Sequence, residues 1–350
     1  TRRVPRKLGR WLDGRSLRVS HNRTSRGLIA FIEGRWERAR KTLVQVAERS
    51  DAPLIYYLLA ARASHALGED KELEKYLRKA EQSTSGADLA VGLTQAELQL
   101  ERGQLEPALA TLMRVRAVSS SHPIALKLLA QTYEGLKDWP HLRKLLPDLR
   151  RAGVLDEKAM AALERKVYLA LMQDSADSGK AAELEKTWKH LPRSLTNDPD
   201  MASSYVQMLV AAGAQGHAER FLRKSLQKHW DDQLVRWYGM VEGDDPGNQL
   251  STAQAWLKER PNDADLLLCL GRLAFRAGER EQARGYLESS IKLNRRPESC
   301  AQLGQLLAQM GQAEKSVEYF QQSLASVQAG SLLPPPAVTS TLHAGQAAGA

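Results

Sequence analysis

The residues in this chain best suited to acid–base or metal chemistry are its histidines, His21, His65, His122, His141, His190, His217, His229 and His343. No two stand four residues apart, the spacing that places a pair of imidazoles on one helical face, and no carboxylate is grouped with one as a ligand set or triad requires. Cys269 and Cys300 have no Cys-x-x-Cys, Cys-Pro or haem-attachment context, and each falls on the apolar side of an expected helix, as buried thiols do. The carboxylate pairs Asp231-Asp232 and Asp244-Asp245 sit among chain breakers, where helix capping and turns account for them. Arg236-Trp237-Tyr238 is either an exposed aromatic anchor or a packing element between helices. Catalytic residues: none; metal ligands: none. The chain is expected to be a non-enzyme, and no phosphate-cradling glycine fingerprint follows a strand.

If no small constellation does chemistry, a surface must, and the elements that build the surface repeat. Glu33-Gly34-Arg35-Trp36-Glu37-Arg38-Ala39 resembles Leu67-Gly68-Glu69-Asp70, Arg102-Gly103-Gln104-Leu105-Glu106-Pro107-Ala108 and Leu136-Lys137-Asp138-Trp139-Pro140. The turn positions 34, 68, 103 and 137 follow one another at intervals of 34, 35 and 34 residues. Ala277-Gly278-Glu279 returns as Met310-Gly311-Gln312 after 33. Each unit reads as helix, tight turn, helix: glycine ends the first helix, where a left-handed residue is cheapest without a Cβ, and Pro107 and Pro140 open the second, where a missing N–H is harmless. Leu266, Leu267, Leu270 and Ala274 before the turn, and Ala283, Leu287 and Ile291 after it, follow the 3.6-residue period. Such hairpins cannot bury their apolar faces alone and must stack on their neighbours. About nine hairpins are expected, of which about six are repeat-like.

This pattern resembles the tetratricopeptide repeat. Counting from Ala264, the chain has Leu267, Leu270, Gly271, Ala274, Ala283 and Leu287 where that family places its large, Leu, Gly, aromatic, Ala and aromatic residues. Ala61, Ala96 and Ala130 stand where the family has glycine. The resemblance implies an all-α superhelical solenoid whose concave groove binds partners. Carried over by repeat position, the groove residues are Leu58, Arg62 and His65, then Glu97, then Lys127 and Gln131, and in the C-terminal units Arg272, Phe275, Arg276 and Gln305. The Lys and Asn set that clamps chaperone C-termini is missing. The expected order is a basic leader over 1–24, repeats over 25–150, a degenerate helical region over 151–200, repeats over 201–328 and a disordered tail over 329–350. In the degenerate region helices are expected at about 156–173 and 179–190. A later pair is expected at Gln233–Met240 and Leu250–Glu259.

Charge is unevenly spread. The chain carries a net +9, yet Arg2, Arg3, Arg6, Lys7, Arg10, Arg15, Arg18, Arg23 and Arg26 face only Asp13 within the first 26 residues, and the rest is nearly balanced. With Trp11 among the basic residues, this segment is read as a membrane-surface contact. A nucleic-acid arm and a plain basic leader are its alternatives, and no nucleic-acid-binding motif follows it. No apolar run reaches the roughly 18 to 20 residues a membrane span needs. The chain begins at Thr1, which suggests a removed segment upstream.

The leader running into Gly27-Leu28-Ile29-Ala30-Phe31-Ile32-Glu33-Gly34-Arg35-Trp36, followed by Ser50-Asp51-Ala52-Pro53-Leu54-Ile55-Tyr56-Tyr57-Leu58-Leu59-Ala60-Ala61, resembles the HemY family of proteobacteria. That resemblance implies a repeat domain on the cytoplasmic face of the bacterial inner membrane, held there by spans this chain lacks. It also implies association with a late step of protohaem synthesis, with membrane-associated enzymes of that pathway as protein partners. No cofactor is expected. Carriage of haem or porphyrin, and general assembly through repeats, stay open as alternatives to a protein scaffold.

Overall fold

The computed structural model describes residues 23–179 and 181–331. The leader residues Arg2, Arg3, Arg6, Lys7, Arg10, Trp11, Arg15 and Arg18, and the tail beyond 331, lie outside the described residues. Among the described residues every regular element is an α-helix. The chain divides into two compact units between Tyr168 and Leu169.

The first unit contains α1 (23–32) and α2 (Trp36–Ala47), α3 (Pro53–Ala66) and α4 (Asp70–Ser83), α5 (Asp88–Glu101) and α6 (Leu105–Val118), and α7 (Pro123–Gly135) and α8 (Trp139–Arg151). It ends inside α9 (Glu157–Asp177). The hairpin turns are closed by one recurring set of bonds. At Gly68 (φ 73°) the glycine N–H donates to His65 O and the Glu69 N–H to Ser64 O, the paired closure of a Schellman motif. The same pair of bonds forms at Lys137, whose φ of 56° puts a Cβ-bearing residue in the left-handed region. The residue after the turn then starts the second helix, as Leu73 N–H donating to Glu69 O illustrates. Small residues let the two helices close up: Ala39, Ala61, Ala96 and Ala108 have no exposed surface.

The second unit holds the rest of α9, α10 (Ala181–Lys189), the one-turn α11 (Arg193–Thr196), α12 (Pro199–Ala211) and α13 (Gln215–Lys228). It continues through α14 (Asp232–Met240) and α15 (Pro246–Glu259), α16 (Ala264–Arg276) and α17 (Arg280–Leu293), and α18 (Pro297–Gln309) and α19 (Ala313–Ser331). Gly271 and Leu287 show how tightly its hairpins pack: a Cβ on Gly271 would come within 2.5 Å of Leu287 Cγ. Where the repeat signature fades, aromatics take over. Trp188 of α10 stacks on Tyr205 of α12 at 4.4 Å, and both meet Phe221 of α13 edge-on at 5.1 and 4.9 Å.

Several boundaries differ from the sequence expectation for identifiable reasons. α9 runs to Asp177, past the expected stop near 173, because its left-handed exit is Gly179 (φ 70°) and Ser175 bonds back to Leu171 O without breaking the helix. α15 begins at Pro246, four residues before the expected Leu250, because Pro246 occupies the first helical position and Asp245 caps the Asn248 N–H at 3.0 Å. What reads as a run of breakers is a cap and a first turn. α19 continues to Ser331, beyond the expected end of the repeats at 328.

Candidate protein-interaction face

In a stack of hairpins the first helix of each pair presents one face, and the residues carried over from the repeat pattern lie on it. In the first unit these helices are α3, α5 and α7, continued by α9. Arg62 on α3 forms an ion pair with Glu97 on α5. One turn further along, His65 bridges two groups: Arg102 Nε donates to its Nδ1 at 2.9 Å, and its Nε2 lies 3.0 Å from Glu101. With Nδ1 accepting, the proton of a neutral ring sits on Nε2 and points to the carboxylate. Arg102 also reaches Asp70 at 2.6 Å, and Glu134 on α7 pairs with Lys166 on α9 at 2.5 Å. Much of this face's charge is therefore spent joining one hairpin to the next. Left over are Lys127 and Gln131, both exposed, the half-buried Leu58, and two large apolar side chains, Ile55 (57% exposed) and Ile124 (48% exposed).

In the second unit the corresponding helices α14, α16 and α18 carry more positive charge. Arg276 donates to Gly239 O at 2.7 Å and Val241 O at 2.8 Å, placing a cation on the carbonyl end of α14, where the helix dipole favours it. Burial pulls its guanidinium below the usual arginine range. Arg272, one turn back on α16, is also held down by burial, and Glu298 favours its charge without bridging it. Its Nη1 is buried and no hydrogen-bond partner meets it. Phe275 is half-buried beside these arginines, and Gln305 of α18 is exposed.

Three acids of this region, ordinary cap and repeat positions in the sequence, come together in a way the motifs did not show. Asp265, 4% exposed, is gripped by Arg236 Nη1 and Arg296 Nη2 at 3.0 Å each. Asp263 caps α16 through the Asp265 and Leu266 N–H groups at 3.0 Å and takes the Trp230 indole N–H at 2.9 Å. Asp232 completes an acidic group whose oxygens lie within 4.8 Å of one another. Burial, then Asp263, Asp265 and Asp231, raise the Asp232 carboxyl above its ordinary value. Two arginines and an indole already occupy these acids, so the group reads as a clamp between hairpins. Only its spread over separate segments hid it. Of the Arg236-Trp237-Tyr238 run, Tyr238 is fully buried and donates to Glu219 Oε1 at 3.1 Å, which makes it a packing element and not an exposed anchor.

Cys269 and Cys300 are buried free thiols. Asp231 caps the Leu234 N–H at 3.0 Å, while Asp244 pairs with Arg220 at 2.6 Å. Among the described residues no helix is long and apolar enough to cross a membrane.

Stacked antiparallel helix pairs, Schellman-closed turns and a charged first-helix face define a protein of the all-α, tetratricopeptide-type helical solenoid class. Among solved structures, a tetratricopeptide repeat protein from Parabacteroides merdae matches 87% of this chain and 98% of its own at 13% identity, with a TM-score of 0.36. MamA matches 46% of this chain and 96% of its own at 16% identity, with a TM-score of 0.31. At the level of sequence, residues 1–68 match the family model described as HemY protein N-terminus. Protein HemY of Escherichia coli (strain K12) is 24% identical over 283 residues, covering 81% of this chain and 71% of that protein, and the Shigella flexneri protein gives the same values. The likeness to the HemY family thus covers the N-terminal 68 residues by family model and most of the chain by relatives at 24% identity.

Proposed function

We propose that the chain is a non-enzymatic scaffold that holds protein partners on its first-helix faces. In this reading it works at the cytoplasmic side of the inner membrane, in association with a late step of protohaem biosynthesis. The pathway and the membrane come from likeness to Protein HemY. The mode of action comes from the repeats. The observation that carries it is Arg272: a mostly buried guanidinium whose Nη1 finds no partner among the described residues. Leaving a desolvated cation unmatched is costly, and an acidic group from outside would relieve that cost. Arg276 and Phe275 beside it supply a second cation and an apolar contact for the same segment.

A partner bound this way needs little intrinsic affinity when both proteins are confined to one membrane surface, because confinement raises the effective concentration. The test is cross-linking and pull-down from membranes with the full-length protein, comparing wild type with Arg272→Glu. The expected result is loss of late haem-synthesis enzymes from a variant that circular dichroism shows is still folded and helical. Undiminished recovery overturns the assignment of the face. A tight, stoichiometric Soret shift on haem titration of the purified chain would favour a carrier over a scaffold.

A further inference from the structure

The first unit also carries a groove between its second helices. A cavity of about 510 Å³ opens between α4 and α6 with α5 as its floor, and a second of about 170 Å³ adjoins it. The two share Glu74, Leu77 and Gln95 in their linings, so they form one groove along α4 from Asp70 to Glu81. At 1.5 Å per residue that is about 17 Å, or three helical turns. Gln95 lies two residues from Glu97 on α5, about 200° around the helix axis, so the larger cavity opens on the side of α5 away from the Arg62–Glu97 pair, while the smaller one reaches the Arg102–Asp70 pair at its end. The groove exists partly because position 92 is glycine: α5 and α6 approach until a Cβ there would stand 2.5 Å from Val115 Cγ2.

We propose that this groove is a docking site for an amphipathic helix of a partner protein, whose edge facing α4 carries basic, acidic and basic residues in that order, two turns end to end. Three observations converge on that occupant. Leu77, Val91 and Val115 form an apolar floor, and Val118, 67% exposed, leaves its end uncovered. Glu74, Arg78 and Glu81 stand at i, i+4 and i+7 on α4, so they form one line along the rim, and none of the three is in an ion pair among the described residues. Asp88 and Arg114 in the same lining are likewise in no ion pair among the described residues, whereas Arg62–Glu97, Arg102–Asp70 and Arg116–Asp148 link hairpins elsewhere in this unit. The third observation is Gln99, which lines the smaller cavity and whose buried Oε1 has no hydrogen-bond partner. A helix nested between two helices packs its side-chain ridges into their grooves, and its edge charges pair as those of a coiled coil do. Elongation and alternating rim charge both disfavour a compact ligand of single charge.

The test uses the whole chain and a synthetic peptide of about fourteen residues, long enough for three turns. Its apolar stripe is leucine and its edge reads Lys, Glu, Lys; a second peptide has those three charges reversed. Fluorescence anisotropy is expected to show saturable binding of the first peptide and weaker binding of the second. In the Glu74→Lys, Glu81→Lys double variant, two exposed positions that leave the core untouched, the first peptide is expected to lose about tenfold in affinity and the reversed peptide to gain. Gln95→Trp, which fills the groove, should abolish both. Arg272→Glu, in the other unit, should change neither, which separates this site from the first-helix face. No saturable binding, equal binding of the two peptides, or indifference to the charge swap overturns the proposal.

Discussion

Replacing Asp265 by asparagine tests whether the acid between Arg236 and Arg296 holds the second unit together. Its volume and one acceptor oxygen survive the change; its charge does not. Each hydrogen bond to a charged group contributes about 1.5–3 kcal/mol, which sets a gross loss of roughly 3–6 for two. Two features of the structure reduce it. The arginine side chains are 27% and 30% exposed, so water recovers part of what the carboxylate supplied, and Asp232 and Asp263 lose a repelling neighbour. A net destabilisation of about 2–3 kcal/mol follows, below the 3–5 typical of breaking a fully buried pair. For a unit of this size each kcal/mol lowers Tm by about 2–4 °C, giving a drop of roughly 4–12 °C. Tryptophan fluorescence is the natural probe, because Trp230 donates to Asp263 and meets Trp256 edge-on at 5.6 Å. A double-mutant cycle with Arg236→Met should return a coupling of about 1 kcal/mol or more. A loss below about 0.5 kcal/mol, or zero coupling, would refute the clamp as a structural element.

The hairpin turns predict opposite signs for two substitutions: Lys137→Gly, at φ 56°, should stabilise by about 0.5–1 kcal/mol, and Gly278→Ala, at φ 82°, should cost about 1 kcal/mol, both read by urea denaturation. Burial pushes the Cys269 thiol up to about 12, and neither Cys269 nor Cys300 has exposed surface, so a thiol reagent at neutral pH should label neither until the second unit unfolds; rapid labelling of the native chain would contradict the packing. Asp232 binds its proton more tightly folded than unfolded, so between its ordinary value of 3.8 and its raised native value stability falls as pH rises. Asp232→Asn should therefore stabilise the chain at neutral pH, with the gain vanishing below pH 3.8, as melts across pH will register.

Local chemistry alone determined the helical hairpins. Glycine at 34, 68, 103, 278 and 311 adopts positive φ because the turn after the first helix demands it there, and that demand is set by neighbours in sequence. The stacking alanines 39, 108 and 283, each without exposed surface, were likewise legible from the period, since a residue's place on a helix fixes which side it faces. Leu58, Arg62, His65 and Glu97 were placed on the first-helix face by the same reasoning. What the period could not tell was which of them are already spent. Arg62 meets Glu97 across 35 residues, His65 meets Glu101 and Arg102, and Arg276 meets the end of α14 from 37 residues away, so only the stacked neighbour decides whether a charge is a link or a ligand site. The Asp232, Asp263 and Asp265 clamp and the groove above α5 were hidden for the same reason. Each is assembled from separate segments whose own sequences carry ordinary capping and rim residues, and electrostatics and cavities depend on distance in space, to which order along the chain is blind once helices stack.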